Sequence, residues 1–225
     1  GLVGSEMCIR DSYTLGDLAR QRMQTIAQLR EDGVFDLNRE LGIPEVPQRI
    51  AVISSPQAAG YQDFMKELGA SPYRFDVTLF GAVMQGHGAE TSIIGALDAV
   101  ADRAEEFDAA VIIRGGGSQS DLSFLNSYLL SFHIAQFPLP VIAGLGHDKD
   151  QSVVDMVAAL SLKTPTAVAA FLADRAAGFD ARLEGLGDEI RSCACRILDR
   201  EGKDVQMCGA LLRERVSGAR LRMEW

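Results

Sequence analysis

Four short apolar runs recur along the middle of this chain, each followed by a stretch of helical periodicity. They are Ile50-Ala51-Val52-Ile53, Phe75 to Phe80, Ala109 to Ile113 and Val141-Ile142-Ala143. Runs this apolar suit strands buried on both faces. The intervening segments read as helices. One follows the turn Ser54-Ser55-Pro56, which reads as a cap, and runs to about Leu68. A second spans Ala89 to Arg103, with Ile93, Ile94, Leu97 and Val100 on one face. Tyr128 to Ala135 and Ser152 to Leu160 complete the set. Strand and helix in alternation predict an α/β fold: an open, mostly parallel sheet with helices on both faces.

The flanks differ from this core. Residues 1–12 match no neighbouring pattern and read as a stray start. Leu15 to Arg30 has helical spacing, and Gly33 suits its end. Residues 34–48, with Pro44 and Pro47, read as a linker. After Lys163-Thr164-Pro165-Thr166, a cap and helix entry, Leu172, Phe179, Leu183, Leu186, Ile190, Cys193 and Ile197 form a heptad seam. Six glycines weaken that helix in isolation, so the seam wants a partner. The expected division is 1–47 (start, helix and linker), 48–165 (α/β domain) and 166–225 (long helical, coiled-coil segment, truncated).

The 225 residues and 47% hydrophobic content support a real core. No apolar run reaches the length of a membrane span. Cys8, Cys193, Cys195 and Cys208 lack zinc spacing and read as reduced thiols of a cytoplasmic protein. A formal charge of −9 excludes a protein that simply coats DNA. It fits an enzyme with a local basic site.

Chemistry concentrates where the third and fourth strands stop. The third ends in Arg114-Gly115-Gly116-Gly117-Ser118, the fourth in Gly144-Leu145-Gly146-His147-Asp148-Lys149-Asp150. In an open parallel sheet both loops lie on the carboxyl edge, where ligands bind. The backbone of Gly115 to Ser118 can cradle an anion, and it is neither a Walker loop nor a dinucleotide fingerprint. Arg114 is either an ion-pair partner of Asp121 or a bidentate phosphate clamp, and the adjacent glycines favour the clamp. His147, flanked by Asp148 and Asp150, suits general acid–base work on a phosphodiester; the plainer reading is a turn capping the next helix. Ser54 and Ser55 can bind phosphate at a helix start. Asp63 alone reads as a solvated helix charge, His87 as a loop residue and His133 as structural. No second His or Cys completes a zinc cage around His147; a loosely held magnesium remains compatible with the carboxylates.

These motifs together resemble the large subunit of exodeoxyribonuclease VII. The resemblance rests on Arg49 to Pro56, Asp63, Gln85-Gly86, Arg114 to Ser118 with Asp121-Leu122, Gly146 to Asp150, and Thr164-Pro165-Thr166-Ala167, in the family's order. It covers roughly residues 14–200. It departs at Ser120, Leu125 and Ala170, where the family carries other residues. It implies a nuclease that degrades single-stranded DNA into oligonucleotides, with Asp63, Arg114, His147 and Asp150 as catalytic positions. It also implies a small helical subunit bound along 166–225 and no requirement for an added divalent cation. The family's N-terminal oligonucleotide-binding barrel and the segment returning after the coiled coil have no counterpart here, so the chain alone is a poor candidate for activity. The alternative is a non-hydrolytic phosphate- or nucleotide-binding domain with a helical assembly arm.

Overall fold

A computed structural model describes residues 19–86, 88–115, 123–146 and 151–223. The stray-start expectation for residues 1–12 therefore lies outside the described residues. Five parallel strands form one sheet: β1 (Arg49–Ser54), β2 (Asp76–Gly81), β3 (Ala109–Ile113), β4 (Val141–Gly144) and β5 (Leu160–Ser161). Their order is β2-β1-β3-β4-β5. Helices α1 (residues 19–31), α2 (Leu37–Glu40), α3 (Ala59–Ala70), α4 (Ala89–Ala101), α5 (Tyr128–Ala135), α6 (Val153–Val157) and α7 (Pro165–Met223) surround or follow it. The α/β expectation with helices on both faces holds.

Strand periodicity explains the two-sided burial. Successive side chains point to opposite faces. Ala51, Ile53, Ala110, Ile112, Val141 and Ala143 belong to one core cluster, with Leu29, Ile93, Leu97, Leu130 and Val154 from α1, α4, α5 and α6. Ile50, Val52, Val111, Ile113 and Ile142 belong to the other, with Phe64 and Leu68 of α3 and Val168 and Leu172 of α7. At the amino edge Asp108 ties β1 to β3. Its carboxylate accepts from the Gln48 and Arg49 amides at 3.0 and 2.8 Å and from the Arg49 guanidinium at 2.6 Å. Burial alone would raise the Asp108 carboxyl pKa; these bonds and the Arg49 charge outweigh it and hold the group below its ordinary value.

Several expectations need correction. Residues 34–48 are no bare linker, because Val34 and Phe35 are buried and Asn38 is fully buried. The Asn38 carboxamide donates to the Phe137 and Leu139 carbonyls and accepts from the Val141 and Ala159 amides. Arg175 of α7 donates to the Ile43 and Pro44 carbonyls at 3.0 Å each. The helix read over Ser152 to Leu160 is only Val153–Val157. The Ala158 backbone is extended, and Leu160–Ser161 pairs with β4 instead. Ser152 caps α6 in a reciprocal box with Asp155, whose other oxygen accepts from the Ser161 hydroxyl at 2.8 Å.

Two compact units divide between Ala177 and Gly178. Leu172, read as the head of the heptad seam, is fully buried in the α/β core. Thr164 caps α7 as expected, accepting from the Ala167 amide at 3.1 Å. In the second unit Leu183, Leu186, Ile190 and Ile197, read as part of the heptad seam, are exposed, at 51%, 49%, 71% and 56%. Cys193, Cys195 and Cys208 are exposed free thiols. No helix among the described residues is long and apolar enough to cross a membrane.

Candidate active site

All five strands run the same way, so their carboxyl ends share one edge. Register makes the positions explicit. Ser54 pairs with Gly81, Ile53 with Ile112, and Ile113 with Gly144. Gly81, Ser54, Ile113 and Gly144 thus form the last row of the sheet. Ser55 and Arg114 stand one residue beyond it, on neighbouring strands. Between β1 and β3 the strand order reverses, the switch point at which open α/β sheets bind ligands.

A cavity of about 540 Å³ opens at this edge, lined by residues following β1, β2 and β3. Ser55, Pro56 and Gln57 line it after β1, and Ala82 to Gln85 line it after β2, together with Ser92 of α4. Arg114 and Gly115 close the β3 end. Arg114 is 4% exposed and is the only charged residue of the lining among the described residues. A lining whose described residues include one cation and no carboxylate favours an anionic ligand.

Local sequence explains how the cavity stays open. Ser54 and Ser55 do not cap α3, contrary to expectation. Pro56 disfavours helix at the residue before it, and α3 begins only at Ala59, behind Ala58, with no side-chain cap. The Ala58 and Tyr61 amides bond to the Ser55 and Ala58 carbonyls at 3.0 Å each, so of the first-turn amides only those of Ala59 and Gly60 are left for a ligand among the described residues, and Ala58 and Ala59 line the cavity. The Ser54 hydroxyl is buried without a hydrogen-bond partner among the described residues. Gly60 brings α3 close: a Cβ there would lie 2.7 Å from the Gly115 nitrogen. Gly144 does the same for α7, since its Cβ would lie 2.7 Å from Val168 Cγ2.

The structure brings Ser55, Arg114 and Gly115 together at the cavity, with Ser54 directly beneath. Asp63 is exposed on α3, one turn beyond Gly60, and is not among the lining residues. His147, Asp150, Gly116, Gly117 and Ser118 lie outside the described residues, as does His87. His133 is half-buried on α5, 3.8 Å from Asp98 and away from the cavity lining. No group of three potential metal ligands forms among the described residues. Gln57, Val83 and Ser92 were not singled out from sequence. They reach the cavity only because β2 lies beside β1, which no local pattern announces.

Comparison with known proteins agrees with this geometry. The sequence model of a family described as "Exonuclease VII, large subunit" matches residues 34–224. The exodeoxyribonuclease 7 large subunit of Deinococcus radiodurans is 37% identical over 196 residues, covering 84% of this chain and 47% of the relative. That of Ralstonia nicotianae is 33% identical over 199 residues, covering 88% of this chain and 45% of the relative. That of Campylobacter lari is 35% identical over 157 residues, covering 68% of this chain and 40% of the relative. The chain spans less than half the length of these curated relatives. With a family match over most of its length, and a phosphate-compatible cavity at the switch point, the chain belongs to the exonuclease VII large-subunit family.

Proposed function

We propose that this chain supplies the nuclease portion of an exodeoxyribonuclease VII-type large subunit, hydrolysing phosphodiester bonds of single-stranded DNA to oligonucleotides. The observation that carries the proposal is Arg114, a buried cation among the lining residues of a cavity whose other described residues are uncharged, beside the start of α3, which has no side-chain cap. Arg114, the backbone of Gly115 to Ser118 and the Ser55 hydroxyl hold the scissile phosphate, with the buried Ser54 hydroxyl beneath them. The guanidinium stabilises charge as it develops on the phosphoryl oxygens. Asp63, exposed on α3 outside the cavity lining, takes the role that the family resemblance implies: it positions water and accepts its proton as the new phosphorus–oxygen bond forms. His147, oriented by Asp150, gives a proton to the departing sugar oxygen as the old bond breaks. In this mechanism Arg114 carries the charge stabilisation, and no resident metal is assigned. A small helical subunit covers the exposed seam beyond Gly178, and the assembly works in the cytoplasm.

The test is a nuclease assay, with chelator, on this chain assembled with a small subunit. Arg114→Ala and His147→Ala should each lower cleavage of single strands by ~100-fold or more, the scale for removing one stabilising donor or proton carrier. Undiminished cleavage by either variant removes that residue from the mechanism. Loss of all wild-type cleavage with chelator, restored by magnesium, assigns the charge stabilisation to a metal.

A further inference from the structure

We infer that the β2 side of this cavity is a subsite for one unpaired nucleobase, an inference that rests on the phosphate site proposed at Arg114. The cavity is far larger than a phosphate group needs. Its 540 Å³ lies within the roughly 300–1,000 Å³ range of small-molecule sites. It also extends in one direction. From Arg114 after β3 it passes the end of β1 and reaches the end of β2. Two strand spacings of ~4.8 Å make that span about 10 Å. A nucleotide with its phosphate on Arg114 lays its base over the β2 loop.

The walls there suit a base. Val83, 54% exposed, and the exposed Pro56 both line the cavity. Together they offer apolar surface to the flat faces of a ring. Gln57 and Gln85 supply the polar edge. Each carboxamide both donates and accepts, so by rotating it can meet any base. The subsite therefore reads the presence of a base and not its identity. The Val83 amide donates to the Ser92 hydroxyl at 2.9 Å, which fixes the wall before ligand arrives. No carboxylate of the described residues lines this end to repel the neighbouring phosphate. A base seated here cannot remain stacked and paired in a duplex. Single-strand selectivity then follows from cavity shape.

The experiment is calorimetric titration of the full chain with thymidine 5′-monophosphate and with 2-deoxyribose 5-phosphate, which lacks the base. The nucleotide should bind at least about fivefold tighter, the low end of what a stacked base contributes. Val83→Ser and Gln85→Ala, both at exposed positions and checked for unchanged melting, should cut nucleotide affinity severalfold each. Neither should change sugar-phosphate affinity. Equal wild-type affinity for the two ligands, or no measurable binding of either, overturns the subsite. So does a nucleotide preference that survives in both variants. Arg114→Ala separates this failure from that of the phosphate site: sugar-phosphate affinity unchanged by that variant removes the phosphate site itself.

Discussion

Gly60 and Gly115 meet backbone to backbone. A Cβ on Gly60 would lie 2.7 Å from the Gly115 nitrogen and 2.8 Å from the Arg114 carbonyl oxygen. A Cβ on Gly115 would lie 2.9 Å from the Gly60 nitrogen. The obstacles are main-chain atoms, which no rotamer change relieves. Gly60→Ala is therefore expected to destabilise the fold by about 1–3 kcal/mol, the usual cost of overpacking. It should also weaken phosphate binding, because α3 and Arg114 are forced apart. Urea titration and phosphate titration of the variant check both effects, and a neutral result in each would mean that the contact relaxes freely.

Asn38 presents a different constraint. All four hydrogen-bonding sites of its carboxamide are filled, by carbonyls and amides of the segments around β4 and α6. Asn38→Ala strands buried backbone groups, each worth about 1–3 kcal/mol. The expected loss exceeds about 3 kcal/mol, the top of the ordinary range for a single substitution, and is read from the denaturant midpoint. Asn38→Asp is expected to be comparably damaging, because a carboxylate would face two carbonyl oxygens.

Acid stability should report on Asp108. Its folded pKa lies below its unfolded value, about 3.9. A lowered carboxyl pKa means that the unfolded chain takes up protons first as pH falls. The stabilisation is thus complete above the unfolded pKa and disappears as pH drops through the folded one. Asp108→Asn should lower stability at pH 7 and flatten this part of the acid limb between about pH 5 and 2. Parallel acid limbs for the two proteins would assign the sensitivity to other carboxylates.

Position along α7 separates folding from assembly. Leu172 is fully buried, whereas Ile190 is 71% exposed. Leu172→Ala should cost the α/β unit about 2–5 kcal/mol. Ile190→Asp should leave that unit's stability within about 0.5 kcal/mol while weakening small-subunit binding by tenfold or more. Thermal melts and a binding titration distinguish the two variants. Unchanged binding by Ile190→Asp would place the partner elsewhere.

Much of the sheet was legible because its strands are uninterrupted apolar runs, from Ile50 to Ile53 and from Ala109 to Ile113, that no surface element tolerates. Leu160–Ser161 was not, since two residues carry no periodicity and their pairing depends on β4. Asn38 hid for a related reason. A polar residue flanked by Asp36, Arg39 and Glu40 looks solvated, and only tertiary contacts show it sealed inside. At the site, Arg114 and Gly115 stood out because a cation and glycines directly follow an apolar strand. Val83, Gln57 and Ser92 carry no such mark. Their place follows from β2 pairing with β1, a contact across more than twenty residues of sequence.

The single buried guanidinium in an uncharged cavity has a consequence for how ligand arrives. With a net charge of −9, the chain as a whole repels polyanions at long range, while Arg114 attracts them at contact. At ~0.15 M ionic strength the Debye length is about 8 Å, so background salt muffles the repulsion more than the contact. Capture by this chain alone should then quicken as salt rises from very low levels, the reverse of the usual behaviour of proteins that gather nucleic acid on a basic surface.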